Sequence, residues 1–251
     1  MKSKKKKPKK RRLFFLVFIL LILLAFYIVF ETDFFYIKEV LVDNNKVLTD
    51  DYIKEKTDIN KTHNIFLVEI ENIKNNLEKE TYIKNAEVKR KLPDKIIINI
   101  EERKGIISYD YNSKRYLLDF DGVVLKEIEN EENLFKVSSE IKSRVKIGTK
   151  INFQESNLKF DEILNISRYI YENNKNLNCN ILLKNDNIYC IIDKNTYMKF
   201  DIENKIEYQY EFGLDIIETR LDNNQSITGM IDFTKGENPI YIDLKDLEEE
   251  I

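Results

Sequence analysis

The chain has 251 residues, 34% of them charged, with 41 Lys and Arg against 44 Asp and Glu and a formal net charge of −3. Six Gly and three Pro exclude a flexible stalk or a low-complexity chain. Nine of the basic residues lie between Lys2 and Arg12 and no acidic residue precedes Glu31, so the remainder carries about −12 and is a poor nucleic-acid binder, which needs clustered cations.

Leu13 to Phe30 runs for eighteen residues without a charge, a Pro or a Gly. As a helix it reaches roughly 27 Å, about the thickness of a bilayer's hydrocarbon core. A helix satisfies its own backbone in lipid, so the run predicts a transmembrane anchor at 13–30, with the basic tail 1–12 held in the cytoplasm. A cleaved signal peptide has a shorter apolar core and a small-residue cutting site, whereas Ala25 here is followed by Phe26-Tyr27-Ile28-Val29-Phe30.

After a connector at Glu31–Phe35, Tyr36–Asp43 alternates as a strand and Asp43–Lys46 reads as a turn in which Asn tolerates a left-handed conformation. Thr49 predicts a helix N-cap, with Asp50 and Asp51 in the first turn and an end near Lys56. Asp58–Asn64 is a polar loop holding the single histidine, His63. A second helix begins near Glu69, with Ile70, Ile73, Asn76 and Leu77 on one stripe. Tyr82–Val88 and Lys95–Glu102 read as strands around a turn at Pro93-Asp94, with Ile96, Ile98 and Ile100 sharing a face. The order is β-α-α-β-β.

Strands are then expected at Ile106–Tyr111, Lys114–Leu118 and Val123–Ile128, a polar loop at Glu129–Asn133, and a helix at Leu158–Tyr171. Strands follow at Asn178–Lys184, Ile188–Asp193 and Thr196–Asp201, then a helix at Glu203–Phe212. Asp215–Leu221, Thr228–Phe233 and Pro239–Asp243 read as strands, before an acidic tail. The class is α+β: an anchor helix, a small first domain, then a β-rich domain of mostly antiparallel strands with one or two helices. Cys179 and Cys190 sit on apolar strand faces, and either a disulfide or two buried thiols fits them.

No catalytic constellation stands out. His63 alone reads as a solvated or capping residue, the cysteines lack His partners for a metal, and no phosphate-cradling Gly loop or nucleophile elbow is present. The acidic runs Glu127–Glu132 and Asp246–Glu250 lack calcium-loop spacing and read as solvated faces. No cofactor is expected.

Val40-Leu41-Val42-Asp43-Asn44-Asn45, Asn64-Ile65-Phe66 and Ala86–Ile96 with Ile98–Arg103 together resemble the FtsQ/DivIB family of bacterial cell-division proteins, which carry a POTRA domain. Val40-Leu41-Val42-Asp43-Asn44-Asn45 is similar to the first POTRA strand and turn, and Asn64-Ile65-Phe66 to the stretch before its second helix. Ala86–Ile96 with Ile98–Arg103 resembles the family's A-x-V-x-R-x-L-P block, strand and Glu-Arg. Leu118–Val124 resembles its next Asp/Gly signature, and Ile231-Asp232-Phe233 its late strand. Thr81-Tyr82 stands where the family often has Pro-Trp, Asn44 where it has Gly, and Lys104-Gly105 where it has Pro.

The resemblance implies a POTRA domain at 34–103, a β-rich domain at 104–244 and a tail at 245–251. It implies a non-enzymatic, single-pass division component at the septum, with exported domains that bind FtsL- and FtsB/DivIC-like proteins and the septal wall-synthesis machinery. The partner-binding strand would be among the last, near Phe233, Thr234 and Lys235, with Ile240, Tyr241 and Ile242 on the following strand. Ile240 and Ile242 as ordinary core residues is the other reading. The POTRA edge, Ile96–Glu102 or its neighbour, is a second candidate surface. An anchored wall hydrolase using two carboxylates and a POTRA-bearing secretion component are the alternatives; the first lacks a catalytic constellation and the second a transmembrane barrel.

Overall fold

The computed structural model describes residues 9–60, 62–129, 133–173, 179–236 and 238–247. Most of the basic tail, the end of the acidic tail, part of the 129–133 loop and Asn178 therefore lie outside the described residues. The chain divides into two compact units between Glu102 and Arg103.

In the first unit the apolar run forms helix α1 (Lys9–Glu31), whose Arg11–Glu31 segment is long and apolar enough to cross a membrane. From Leu13 to Phe30 every residue except Val29 is exposed, so the rest of the protein does not bury this helix. A 3-10 turn at Asp33–Phe35 leads to β1 (Glu39–Asp43). The turn after it holds Asn44 at φ 68°, the left-handed conformation that Asn tolerates. Thr49 caps α2 (Asp50–Lys56) by accepting the Tyr52 N–H at 3.3 Å, with acids in the first turn and lysines in the last, matching the helix dipole. α3 (Ile70–Leu77) buries Ile73 and Leu77, one helical turn apart.

β2 (Ile83–Lys91) and β3 (Lys95–Glu102) complete a three-stranded sheet in the order β1-β3-β2. β3 pairs parallel with β1, Val40 opposite Ile96, and antiparallel with β2, Val88 opposite Ile98. Ile96, Ile98 and Ile100 form one core with Ile53 of α2 and Ile73 and Leu77 of α3. Of the expected edge, Ile96–Glu102 or its neighbour, the first is corrected by the central place of β3: its neighbours β1 and β2 are the edges.

The second unit is built on a nine-stranded sheet. Its strands in chain order are β4 (Ile107–Tyr111), β5 (Lys114–Leu118), β6 (Val124–Ile128), β7 (Phe135–Ser139), β10 (Asn180–Lys184), β11 (Asn187–Asp193), β12 (Thr196–Phe200), β13 (Gly229–Asp232) and β14 (Ile240–Asp243). A two-residue pair, β8 (Ser143–Arg144) with β9 (Asn152–Phe153), stands apart. The order across the sheet is β14-β13-β12-β11-β10-β7-β4-β5-β6. Two-residue hairpins at Asn112-Ser113 and Asn185-Asp186 have positive φ at both central residues, the geometry that matches strand twist.

Parallel neighbours cannot be joined by a tight turn. β7 reaches β10 through helix α4 (Phe160–Asn173), and β12 reaches β13 through α5 (Ile206–Asp222). Both helices pack on one face of the sheet: Ile163, Ile166 and Ile170 of α4 and Tyr210 and Ile217 of α5 join Ile181, Cys190, Met198 and Ile231 in one core. α5 overturns the expected strand at Asp215–Leu221. Tyr210, Gly213 and Ile217 are buried at three- and four-residue spacing, a helical period that extends well past Phe212. At Gly213 a Cβ would lie 2.7 Å from the end of the Met198 side chain, so the missing side chain lets the helix approach β12 closely.

Cys179 and Cys190 are joined in a disulfide, with Cα atoms 6.5 Å apart. Both are buried, so a disulfide within the core replaces the choice the sequence leaves open.

Candidate partner-binding edge

β14 is one end of the large sheet, paired to β13 with Ile231 opposite Tyr241 and Met230 opposite Ile242. No described strand covers its other side. It is four residues long, preceded by Pro239 and followed by a 3-10 turn at Leu244–Asp246, features that blunt an edge without closing it.

The six residues expected at a partner surface fall into different environments. Phe233 is buried, with its ring packed against Phe200 and Phe212 at 6.3 and 6.4 Å between centroids. Its side chain belongs to the core, because the strand's alternation turns it toward α5. Thr234 and Lys235 are exposed at the start of the β13–β14 loop. Ile240 is 44% exposed, an aliphatic side chain on the free edge. Ile242 is half-buried against a small cluster of Met230, Tyr189 and Leu247 on the sheet face away from α4 and α5. Tyr241 points to the helix-covered face, where the Arg220 guanidinium lies 3.5 Å from its ring centroid and its hydroxyl donates to the Ser226 carbonyl at 3.2 Å.

Two neighbours outside the six expected residues, Asp232 and Arg220, also bear on this edge. Asp232 is fully buried at the end of β13, and one of its oxygens accepts both the amide and the hydroxyl of Thr234, at 2.8 and 2.7 Å. This Asx-type turn fixes the exit of the chain toward β14. Its other oxygen faces the Lys199 ammonium at 4.0 Å, from the adjacent strand β12. The Asp in the Ile-Asp-Phe motif was visible; its partner Lys199, thirty-three positions earlier, was not. Arg220 donates to the same Ser226 carbonyl that Tyr241 uses, at 2.7 Å, and holds Tyr241 in place. An open cleft beside the edge is lined by Tyr208 and Phe212 of α5, by Phe233 and by Pro239.

This arrangement offers backbone donors and acceptors, one exposed aliphatic side chain and an aromatic-lined cleft, which are features that strand addition uses. Among the described residues no group of three His, Cys, Asp or Glu side chains is placed to hold a metal. His63 sits in its loop with a ring nitrogen 3.1 Å from the Asn60 side-chain nitrogen.

Comparison with known proteins agrees with the first unit's architecture. Residues 35–103 match the family described as POTRA domain, FtsQ-type. The chain is 34% identical over 177 residues to the cell division protein DivIB of Clostridium tetani, covering 66% of each chain. It is 31% identical over 144 residues to DivIB of Clostridium acetobutylicum, covering 56% of this chain and 57% of that one. To the cell division protein FtsQ of Syntrophotalea carbinolica it is 32% identical over 109 residues, 43% of this chain and 38% of that one. The chain thus spans just under two thirds of the length of the first of these relatives and less of the others.

Proposed function

This chain belongs to the FtsQ/DivIB family of cell-division proteins, and on that premise we propose that it is a non-enzymatic, single-pass component of the division machinery that binds other division proteins through the free edge of β14. In this reading α1 spans the cytoplasmic membrane at the septum and the basic tail stays in the cytoplasm. The first unit is the POTRA domain, 34–103, and the second the β-rich domain, 104–244. The break between Glu102 and Arg103 supports that division.

The observation that carries the proposal is the edge itself. β14 has an unpaired side, an exposed Ile240 and a neighbouring cleft, and a partner strand laid along it gains main-chain hydrogen bonds and a place for alternate side chains. Ile240, Tyr241 and Ile242 would meet the partner along the strand, Thr234 and Lys235 at its end, and Phe233 would act as a core support. The partners are single-pass proteins of the FtsL and FtsB/DivIC kind, and through them the septal wall-synthesis machinery is coupled to constriction. Co-purification of the full chain with such proteins from membranes, with and without Ile240→Lys, tests the proposal. Loss of the complex on substitution, with an unchanged circular dichroism spectrum, is the expected result; an unaffected complex places the surface elsewhere, the β2 edge being next.

A further inference from the structure

We infer that Phe34, Phe66 and Leu67 seat the first unit in the headgroup region of the bilayer, so that this domain rests on the membrane beside its own anchor. The inference rests on reading α1 as a membrane span.

Three large apolar side chains are exposed together next to the end of α1: Phe34 at 54%, Phe66 at 40% and Leu67 at 66%. They come from two stretches far apart in sequence that the fold ties side by side. Tyr36 bridges to Asn64, Ile65 donates its N–H to the Phe35 carbonyl at 2.9 Å, and Ile37 donates to the His63 carbonyl at 3.0 Å. The rings continue the link, Phe34 to Phe35 at 4.9 Å and Phe35 to Phe66 at 5.1 Å between centroids. Arg90 clamps the second stretch from β2 by donating to the carbonyls of Ile65 at 2.7 Å and Val68 at 2.6 Å.

One contact sets the depth. The Asn64 side-chain amide donates to the carbonyl of Val29 at 2.6 Å. Val29 is the next-to-last residue of the apolar run and the only one of its eighteen that is partly buried rather than exposed. A helix rises about 1.5 Å per residue, so a group bonded to Val29 lies within a turn of the run's end. If Leu13–Phe30 fills the hydrocarbon layer, the 64–67 stretch lies at its boundary, where water thins and apolar side chains find acyl chains. Leu67 and Phe30 line one cavity, so the domain's apolar tip and the end of the anchor share a surface. Exposed apolar patches on a domain mark a surface that is covered in its working state, and this one is continuous with the lipid-facing run.

In sequence the patch is flanked by Glu31, Asp33 and Glu69, while Arg90 is bonded to the Ile65 and Val68 carbonyls, so no cationic cluster among the described residues draws it to a bilayer. The seat is therefore apolar in origin and insensitive to salt. Val47 and Leu92, also exposed apolar residues of this unit, have no described hydrogen bond to α1 and serve as comparison points.

The test uses the full chain in phosphatidylcholine vesicles. The native cysteines are paired and among the described residues no other is free, so Leu67→Cys, Val47→Cys and Leu20→Cys can each carry one environment-sensitive fluorophore. Lipids with a spin label near the headgroup or deep in the acyl chain act as quenchers. The Leu67 label should be quenched by the shallow lipid about threefold more than the Val47 label, and equally so in ~1 M salt, where the screening length is about 3 Å. The Leu20 label should respond to the deep lipid. A Leu67 label as weakly quenched as Val47, alongside a deeply quenched Leu20, overturns the seat and leaves the span intact; a partner protein covering the patch in cells would give this result. An unquenched Leu20 overturns the span itself, and the seat with it.

Discussion

Arg103 donates to Asp119 at 2.7 Å, and the other oxygen of that nearly buried carboxylate accepts the amides of Asp121 and Val123 at 3.0 and 2.9 Å. The Arg of the Glu-Arg pair and the Asp of the Leu-Asp-Phe-Asp-Gly stretch are therefore one structural device within the second unit. Removing one partner of a buried, hydrogen-bonded pair leaves the other unsatisfied. Asp119→Ala should lower the stability of this unit by about 2–4 kcal/mol. Lys114→Ala, which breaks an exposed pair with Glu127, should leave the unfolding midpoint unchanged within error. Urea unfolding followed by circular dichroism measures both, since the chain has no Trp to report by fluorescence.

Glu102, the other member of the Glu-Arg pair, acts within the first unit. Its carboxylate accepts three successive backbone N–H groups, Lys46, Val47 and Leu48, each at 2.8 Å. Charge-assisted bonds to otherwise orphaned amides are among the stronger kind. Glu102→Ala should cost about 1.5–3 kcal/mol and speed hydrogen exchange at those three amides. Glu101→Ala, with its side chain largely in water, should change neither by a measurable amount.

The first unit also carries a pH-dependent contact. Glu80 accepts a hydrogen bond from Tyr52 and pairs with Lys56 at 2.8 Å. Partial burial works to raise the Glu80 pKa, but the bonds from Lys56 and Tyr52 outweigh it and hold it below the ordinary value of 4.5. The hydrogen bond with Glu80 raises both Tyr52 and Lys56. A lowered carboxyl contributes stability above its unfolded pKa and loses it as pH falls through the folded one. The two raised groups contribute below their ordinary values near 10 and lose it as pH rises. The difference in stability between wild type and Glu80→Gln should thus be level from about pH 5 to 9 and shrink below pH 4.5. The groups are near the surface, where solvent screens them, so the plateau should be small.

The disulfide closes a short loop, eleven residues apart in sequence, between the start of β10 and β11. By chain entropy a loop of this size restricts the unfolded state by about 3 kcal/mol. Cys179→Ser with Cys190→Ser should lower the urea midpoint of the second unit accordingly and leave the first unit's transition in place. Identical transitions for oxidised and doubly substituted protein would contradict this.

Much of the first unit was legible because each local signal agreed with the fold: the Thr49 cap, the Asn44 turn, the alternating isoleucines of β3. The pairing order was not, since no pattern in Ile96–Glu102 says that both its sides are occupied. In the second unit the run Asp215–Leu221, with Ile216, Ile217 and Thr219, has strand-like composition, and Gly213 just before it reads as a break. Tertiary contact decided otherwise: Gly213 is where α5 presses on Met198. The strand Phe135–Ser139 went unread although Phe135 and Val137 alternate, because two of its five residues are serines. At the candidate edge, Ile240 and Tyr241 were readable as strand residues. Burial of Phe233 and the Arg220–Tyr241 stack depend on side chains brought together from α5, β12 and β14, which no local pattern reports.

The central claim is that β14 receives a partner strand, and one binding measurement addresses it most directly. The full chain in lipid nanodiscs is titrated with the extracytoplasmic parts of FtsL- and FtsB/DivIC-like proteins, as wild type and with Ile240→Lys plus Tyr241→Pro. The first change places a charge on the exposed edge and the second removes a backbone donor. The account predicts affinity at least about tenfold weaker, while the melting curve falls no further than that of Tyr241→Ala, which loses the same Arg220 stack and Ser226 bond. Wild-type affinity in the doubly substituted chain would contradict it.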